Sequence, residues 1–323
     1  MTDGGPCERP GRSLPRRPLV LATVFLLAAA CARLRPVGDR AAGGRWERRA
    51  GLATPRDDFA IATSGSRLVV MGGMNGERGD PLETSEVFDV AAGTWTRGPR
   101  LPAAVSSTRA ASLSGRIVLA GGTGRDADAA ETWVLPVGGN SWERAAPLQA
   151  ARFGHGLAAL GGRIYAAGGL HHGEVLASVE AYDPARDAWT SVAPLLPARF
   201  NLALVALRGR LYALGGSGLD RRPGQWVDAY DPERDRWEPA SPLPRAFSNF
   251  GAAALDDRRI HALLHRDHAV LDVPSQRWSI ARTMPTSRHG QGVAALGGLL
   301  YAVGGCSEDP QRDLPSVEVF FPG

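Results

Sequence analysis

The sequence predicts an all-β fold built from six similar units, and two repeated features carry that prediction. Tryptophans recur at intervals of 41–49 residues, and pairs of glycines fall between most of them. A fixed period of this length is the signature of a repeat architecture. The tryptophans are Trp46, Trp95, Trp142, Trp189, Trp237 and Trp278. The glycine pairs are Gly72-Gly73, Gly121-Gly122, Gly168-Gly169, Gly215-Gly216 and Gly304-Gly305.

The residues between these markers favour β-strands. Short apolar runs such as 164–167 and 211–214 end in glycines, which is typical of strands covered on both faces. Gly161-Gly162 and Gly297-Gly298 supply the positive φ angles that tight hairpin turns need. Helical periodicity is absent from the repeats. A β-sandwich, the alternative all-β fold, explains neither the fixed period nor the repeated tryptophan.

An aromatic residue followed by an Asp turn recurs as well, as Phe88-Asp89, Tyr182-Asp183-Pro184 and Tyr230-Asp231-Pro232. Together with the tryptophans and glycine pairs, this pattern resembles the kelch repeat from Trp46 to the C-terminus. The resemblance implies that each unit is a four-stranded blade of a β-propeller. We label the strands of a blade a to d; the glycine pair ends strand b and the tryptophan opens strand d.

The two ends of the repeat predict how the ring closes. The last unit has strand a at 289–296, strand b at 299–305 and strand c at 316–321, but no tryptophan follows. Trp46 has no strands a, b or c before it. Residues 46–49 therefore supply strand d of the last blade, which removes the open sheet edges. We predict a closed six-bladed kelch-type β-propeller over residues 46–323, with irregular blades at 96–142 and 238–278.

Composition argues against a nucleic-acid partner. The formal net charge is +4 over 323 residues, and all 37 basic residues are arginines. No basic tract interleaved with aromatic residues appears, so the chain lacks the electrostatic footprint of a nucleic-acid-binding protein. We expect a monomer that binds no nucleic acid.

Residues 1–31 predict an export signal. Four arginines precede an apolar run at 19–30, which is short for a membrane span. The run ends in small residues before Cys31, which resembles a bacterial lipoprotein box and implies a lipid on Cys31. Plain cleavage followed by secretion, or an uncleaved anchor, stay open. Residues 32–45 are predicted to be a tether, and the lipoprotein resemblance implies attachment to an outer membrane, facing the periplasm or the surface.

Cysteine chemistry predicts no disulfide and no metal site in the propeller. Cys7 and Cys31 lie in the signal, so Cys306 is the single thiol of the repeats. We interpret Cys306 as a small filler at the end of a strand. The sequence indicates no cofactor.

Strand connectivity places the variable loops on one face, which we call the loop face. It carries the b–c and d–a connections, and the opposite face carries the short a–b and c–d turns. The b–c loops differ in length and chemistry, and variable loops on a rigid scaffold usually carry binding. They span residues 74–84, 123–129, 170–177, 217–225 and 306–315.

An arginine recurs where strand a begins, and we predict that it surrounds the central mouth of the loop face. Guanidinium groups pair bidentately with carboxylates. The kelch resemblance implies an anion-accepting mouth, although bonding to neighbouring carbonyls is the alternative role. The predicted binding residues are Arg56, Arg152, Arg199, Arg288, His155 and His289, with Val105 and Ser248 in the arginine position of blades 2 and 5. A recurring acid in strand c is interpreted as scaffolding, at Glu86, Glu131, Glu180, Asp228 and Glu318.

These features favour a non-enzymatic binding module for a protein, a peptide or a glycan, with an anionic ligand as one option. The alternative is a sugar-active enzyme, because the chain is similar to N-acetylneuraminate epimerase in being an exported six-bladed kelch propeller. No catalytic residue is assigned. A carboxylate with a raised pKa beside an arginine in the mouth would favour the enzyme.

Overall fold

The computed structural model describes residues 43–76, 79–125, 127–308 and 311–323. The predicted signal at 1–31, including Cys31, and residues 32–42 of the predicted tether lie outside these ranges. Every regular element within the described ranges is a β-strand. The described part of the chain contains no helix long and apolar enough to cross a membrane.

Six antiparallel four-stranded sheets form the fold and confirm the predicted six-bladed propeller. The closing strand β1 is Arg45–Arg49. Blade 1 comprises β2 (Ala60–Ser64), β3 (Arg67–Met71), β6 (Ser85–Asp89) and β7 (Thr94–Arg97), with a ribbon of β4 (Met74–Asn75) and β5 (Asp80–Pro81) in its b–c loop. Blade 2 comprises β8 (Arg109–Leu113), β9 (Arg116–Ala120), β10 (Thr132–Leu135) and β11 (Glu143–Ala145). Blade 3 comprises β12 (Gly156–Leu160), β13 (Arg163–Ala167), β16 (Val179–Asp183) and β17 (Ala188–Val192), with a ribbon of β14 (Leu170–His171) and β15 (Glu174–Val175).

The second half of the chain repeats the same plan. Blade 4 comprises β18 (Ala203–Leu207), β19 (Arg210–Leu214), β20 (Val227–Asp231) and β21 (Arg236–Pro239). Blade 5 comprises β22 (Gly251–Ala254), β23 (Arg259–Leu264), β24 (Asp267–Asp272) and β25 (Arg277–Ile280). Blade 6 takes β26 (Gly292–Leu296), β27 (Leu299–Val303) and β28 (Val317–Phe321) from the C-terminal end and β1 from the N-terminal end.

The predicted closure is confirmed by the pairing of β1 with β28. The two strands are antiparallel, with Trp46 opposite Phe320 and Arg49 opposite Val317. The sheet order β1–β28–β27–β26 makes the first described strand the outermost strand of the last blade. A ring closed in this way leaves no blade with an unpartnered face.

The repeated tryptophan joins neighbouring blades. Each of the six indoles donates its Nε1–H to a main-chain carbonyl in the segment that connects the previous blade to strand a of its own blade. The blade of Trp46 is blade 6, because β1 is the outermost strand of that blade. The acceptors are Arg282 for Trp46, Ala50 for Trp95, Pro99 for Trp142, Ala146 for Trp189, Ala193 for Trp237 and Ser241 for Trp278, at 2.8–3.4 Å. The tryptophan therefore recurs once per blade because each blade uses its indole for the same hydrogen bond to the connection from the previous blade.

The glycine pairs let strand b approach the next blade closely. The N–H of Gly169 donates to the carbonyl of Arg199 at 3.0 Å. A Cβ atom on the preceding Gly168, whose φ is +64°, would lie 2.3 Å from the same carbonyl oxygen. Only glycine combines this positive φ with that approach at little cost.

A closed ring of main-chain hydrogen bonds surrounds the propeller axis. One residue per blade donates its N–H to the carbonyl of the previous one at 2.5–3.1 Å, and Asp58 completes the circle by donating to Gly290. All six have φ between +48° and +61°, a region that Asn, Asp and Gly tolerate best. The ring consists of Asp58, Ser107, Gly154, Asn201, Asn249 and Gly290. Each of these residues lies two positions before strand a of its blade.

Candidate functional site

The predicted location of the recurring arginines at the mouth is wrong. Arg56, Arg152, Arg199 and Arg288 have no exposed surface. In blades 1, 3 and 6 the arrangement is the same: Arg152 Nη1, for example, donates to the carbonyls of Gly168 at 2.8 Å and Ser178 at 2.9 Å, and its Nη2 contacts Glu180 at 2.5 Å. Arg199 instead donates through Nη2 to the carbonyl of Ala213 and to Asp228. Each guanidinium is therefore engaged within its own blade, between strands b and c.

Burial lowers the pKa of all four arginines, and the paired carboxylate opposes this shift. The partners are Glu86, Glu180, Asp228 and Glu318, at 2.5–3.2 Å. The interpretation of these acids as scaffolding is confirmed. Binding of an external ligand by the arginines stays a prediction, and their geometry gives them a structural role.

Two positions assigned by counting residues are corrected by the hydrogen bonds. In the regular blades, the main-chain carbonyl of the recurring arginine accepts an N–H from the end of strand b in the previous blade. In blade 5 the carbonyl that accepts this hydrogen bond belongs to Phe247, so Phe247, and not Ser248, stands in the arginine position. In blade 2, Trp133 lies opposite the second-to-last residue of strand b, Leu119, as Glu86 lies opposite Val70 in blade 1. Trp133, and not Glu131, therefore stands in the acid position.

The two histidines predicted to bind are buried. His155 has no exposed surface, packs beside Gly121 and Gly169, and burial holds its pKa well below the usual value. His289 is 7% exposed, and its ring lies 6.1 Å from that of His265. Neither ring nitrogen of either residue forms a hydrogen bond with any described atom. Their binding role stays a prediction.

A histidine pair that the sequence analysis missed lies between blades 5 and 6. His261 Nδ1 and His268 Nε2 are 2.7 Å apart, and His268 Nδ1 lies 3.3 Å from the carbonyl of Arg282. Since a carbonyl only accepts, His268 carries its proton on Nδ1 and accepts from His261 through Nε2. Burial lowers the pKa of His261 to about 3 and that of His268 to about 4.

The mouth leads into a central cavity of about 160 Å³ that contains an arginine which the sequence analysis overlooked. Arg109 lines it together with Asp58, Asn249 and Gln291, and donates to the carbonyl of Thr108 at 2.9 Å. Burial raises the pKa of Asp58, and the positive charge of Arg109 opposes this. The equivalent positions of the other blades are Ala60, Gly156, Ala203, Gly251 and Gly292. The sequence could have indicated Arg109, because it is the one charged residue at a position that holds alanine or glycine in the other five blades.

A second cavity, of about 220 Å³, opens on the loop face at blade 2 and has mostly apolar walls. It is lined by the d–a segment 101–105, by Leu119 and Gly121 of strand b and its end, by b–c loop residues including Asp128, and by Glu131 and Trp133. No other described blade has both a valine in the arginine position and a tryptophan in the acid position.

Two groups of side chains hold potential metal ligands within 4.8 Å of one another. One contains Asp128, His171 and His172, and the other contains Asp57, Cys306 and Asp313. The second group gives Cys306 two carboxylate neighbours that the sequence analysis did not anticipate. The absence of a metal or cofactor stays a prediction.

These observations define a class: a closed six-bladed β-propeller whose repeated side chains build the ring and whose variable loops share one face. The KLHDC2/KLHL20/DRC7 Kelch-repeats domain matches residues 45–216, and the Kelch motif matches residues 198–244 and 287–321. The chain therefore belongs to the kelch-repeat family, whose propellers serve as interaction modules. Residues 245–286, most of the irregular blade 5, fall outside both matches.

The chain is also similar to the Kelch-like protein terF of Aspergillus terreus. The two are 29% identical over 111 residues, which cover 32% of this chain and 24% of terF. The match spans about a quarter of that relative, so it supports the kelch repeats and carries no activity over.

Proposed function

We propose that this kelch propeller is a binding module that recognises an extended protein or peptide segment on its loop face. The observation that carries the proposal is that the repeated and the variable residues have different roles. The side chains shared by the repeats bond within and between blades, and the residues that differ between blades meet on one face. Such a surface provides a distinct chemistry in each sector without changing the scaffold.

Hydrogen bonds connect the loops of neighbouring blades on this face, which supports recognition by a preorganised surface. The N–H of Gly76 donates to Asp313 at 2.9 Å, linking the loops of blades 1 and 6. The N–H of His172 donates to Asp128 at 3.0 Å, and Arg221 donates to the carbonyl of Gly173 at 2.8 Å. Loops that are held in place before binding lose less conformational entropy when a partner docks.

An exposed leucine supports a protein partner over a glycan. Leu219, in the b–c loop of blade 4, is 74% exposed, more than any other large hydrophobic residue of the described ranges. The full-length protein is to be screened against a displayed peptide library, with sialic acids and uronates tested in parallel. We expect peptides to be selected and Leu219→Glu to abolish their binding. Val137→Glu, a matched change at a 66% exposed site on the opposite face, is the control.

The sugar-active enzyme remains the second candidate, and Asp58 is the observation that favours it. Its carboxyl group, with a raised pKa, shares the central cavity with Arg109. Such a pair is what an acid–base step on an acidic sugar requires. An assay of anomer interconversion with N-acetylneuraminate tests this candidate. Activity that disappears in Asp58→Asn and Arg109→Leu would establish it, and inactive wild-type protein would exclude this substrate.

We also propose that the propeller is exported and anchored in a bacterial envelope by a lipid on Cys31. The support is the sequence alone: a basic segment, an apolar run and small residues before the cysteine. Metabolic labelling with palmitate should mark the wild-type protein and not Cys31→Ser. A labelled Cys31→Ser protein, or an unlabelled wild type found in the medium, would contradict anchoring and favour simple secretion.

A further inference from the structure

The cavity in blade 2 stands where four other blades bury an arginine. The position is defined by a main-chain carbonyl that accepts an N–H from the end of strand b in the previous blade. Its occupants are Arg56, Val105, Arg152, Arg199, Phe247 and Arg288. In blade 5 Phe247, which is 1% exposed, fills this position. Val105 is too short to do so in blade 2.

The rest of blade 2 is adapted to the missing arginine. Trp133 replaces the carboxylate that pairs with the arginine elsewhere, so no buried acid is left without a cation. That carboxylate also accepts two main-chain N–H groups in blade 1, from Ala53 at 2.7 Å and Thr54 at 3.1 Å. In blade 2 the residue equivalent to Ala53 is Pro102, which has no N–H.

The hydrogen-bond acceptors of the arginine are nevertheless retained. In blades 1, 3 and 6 the Nη1 of the arginine donates to the carbonyl of the first glycine of the pair and to a carbonyl that precedes strand c. The same two carbonyls in blade 2 belong to Gly121 and Glu131, and both residues line the cavity. The carbonyl of Glu131 accepts the main-chain N–H of Gly121 at 3.1 Å, as the equivalent carbonyls do in the blades that contain the arginine, so its second lone pair is the one that the arginine uses elsewhere. No described side chain donates a hydrogen bond to either carbonyl in blade 2.

The two charged side chains that line this cavity, Asp128 and Glu131, are both acidic. Glu131 is exposed at the rim and forms no ion pair with a described residue, and Asp128 lines the adjoining loop. The walls are Leu101, Val105 and Leu119, with the indole of Trp133 alongside. A planar cation with an aliphatic stem fits this lining, because its stem is apolar and its charged end can stack on the indole.

We propose that this cavity binds an arginine side chain presented by a partner, in the place that the chain's own arginine occupies in four other blades. The proposal rests on the proposed binding function and names the chemistry of one contact. An anion is disfavoured by the two carboxylates. A lysine matches less well because its ammonium group lacks the planar fork that meets two carbonyls at once.

The test uses n-butylguanidinium and the full-length protein, with binding followed by saturation-transfer NMR and by the fluorescence of the protein. We expect saturable binding, with n-butylurea, a neutral molecule of similar shape, binding about tenfold more weakly. Val105→Arg restores the repeat residue and should abolish binding of the cation. Val137→Arg introduces the same side chain on the opposite face and should leave binding unchanged.

Val105→Phe, which copies the solution used in blade 5, is a second way to fill the cavity if Val105→Arg does not fold. The proposal is overturned if the cation does not bind the wild type, or if it binds a folded cavity-filled variant equally well. Equal affinity for n-butylurea would also overturn it, since the cavity would then be merely apolar. Because the probe needs no partner, these failures leave peptide binding on the loop face to its own test.

Discussion

The indole of Trp46 donates its Nε1–H to the carbonyl of Arg282 at 2.9 Å, joining residues that are 236 positions apart. The same bond recurs between consecutive blades, and here it spans the seam where the two ends of the ring meet. The Trp46 ring also packs against Phe320, with ring centroids 5.2 Å apart. Closure therefore depends on a side chain as well as on the pairing of β1 with β28.

Trp46→Phe should lower the free energy of unfolding by about 1 kcal/mol, because it keeps most of the ring packing and removes one hydrogen bond. Equilibrium denaturation with urea measures the change. Trp133→Phe is the control, since no described atom accepts a hydrogen bond from its indole. Equal stability of Trp46→Phe and the wild type would mean that the seam does not depend on this bond.

The buried pair of Arg152 and Glu180 should be strongly coupled. Arg152→Met should destabilise the fold by about 3–5 kcal/mol, because Glu180 is left as a buried charge without its partner. The double variant with Glu180→Leu should lose less than the sum of the single losses, as measured by a thermal double-mutant cycle. Arg45→Met removes an exposed partner of Glu47 and should leave the free energy of unfolding almost unchanged, because solvent screens an exposed ion pair. Additive losses at the buried pair would contradict the assigned role.

The stability of the fold should decline with acid below pH 6.5 because of His261 and His268. Their pKa values of about 3 and about 4 in the folded state lie below the ordinary value of 6.5. Between pH 6.5 and these lower values, each histidine is protonated in the unfolded chain and neutral in the folded protein. Below pH 6.5 each group then lowers the folding equilibrium constant by up to about tenfold per pH unit, whereas above pH 6.5 the folded state keeps the full stability that the neutral pair provides.

The difference in unfolding free energy between the wild type and a His261→Phe, His268→Leu double variant isolates this effect. Measurements between pH 4.5 and 7.5 should give a difference that changes below pH 6.5 and is constant above it. A pH-independent difference would show that the pair is not held neutral by burial.

Asp58→Asn should raise the melting temperature at pH 7. Burial raises the pKa of Asp58, so the ionised carboxylate is unfavourable in the folded state, and its cost grows as pH rises above the ordinary value of 3.8. The amide has nearly the same shape without the charge. Scanning calorimetry should show a gain that narrows as pH approaches 4. A loss of stability would mean that attraction to Arg109 outweighs burial.

The sequence alone determined the architecture of this protein. Repeated tryptophans and glycine pairs predicted six blades and the closing role of residues 46–49, and the strand order predicted which face carries the variable loops. These inferences succeeded because each marker is a local residue pattern and the same pattern is repeated along the chain. A single degenerate blade, such as blade 5, does not obscure the period.

The tertiary structure decided where the charged side chains lie. Arg152 was predicted at the mouth, but its hydrogen-bond acceptors come from strands b and c, 16–28 residues later, and they draw the guanidinium inside the blade. Counting residues also misplaced Glu131, because loops of unequal length hide the hydrogen-bond register that puts Trp133 there. The surroundings of Arg109 in the central cavity and the cavity beside Val105 were likewise decided by the fold, because the strand register determines which positions of the six blades are equivalent.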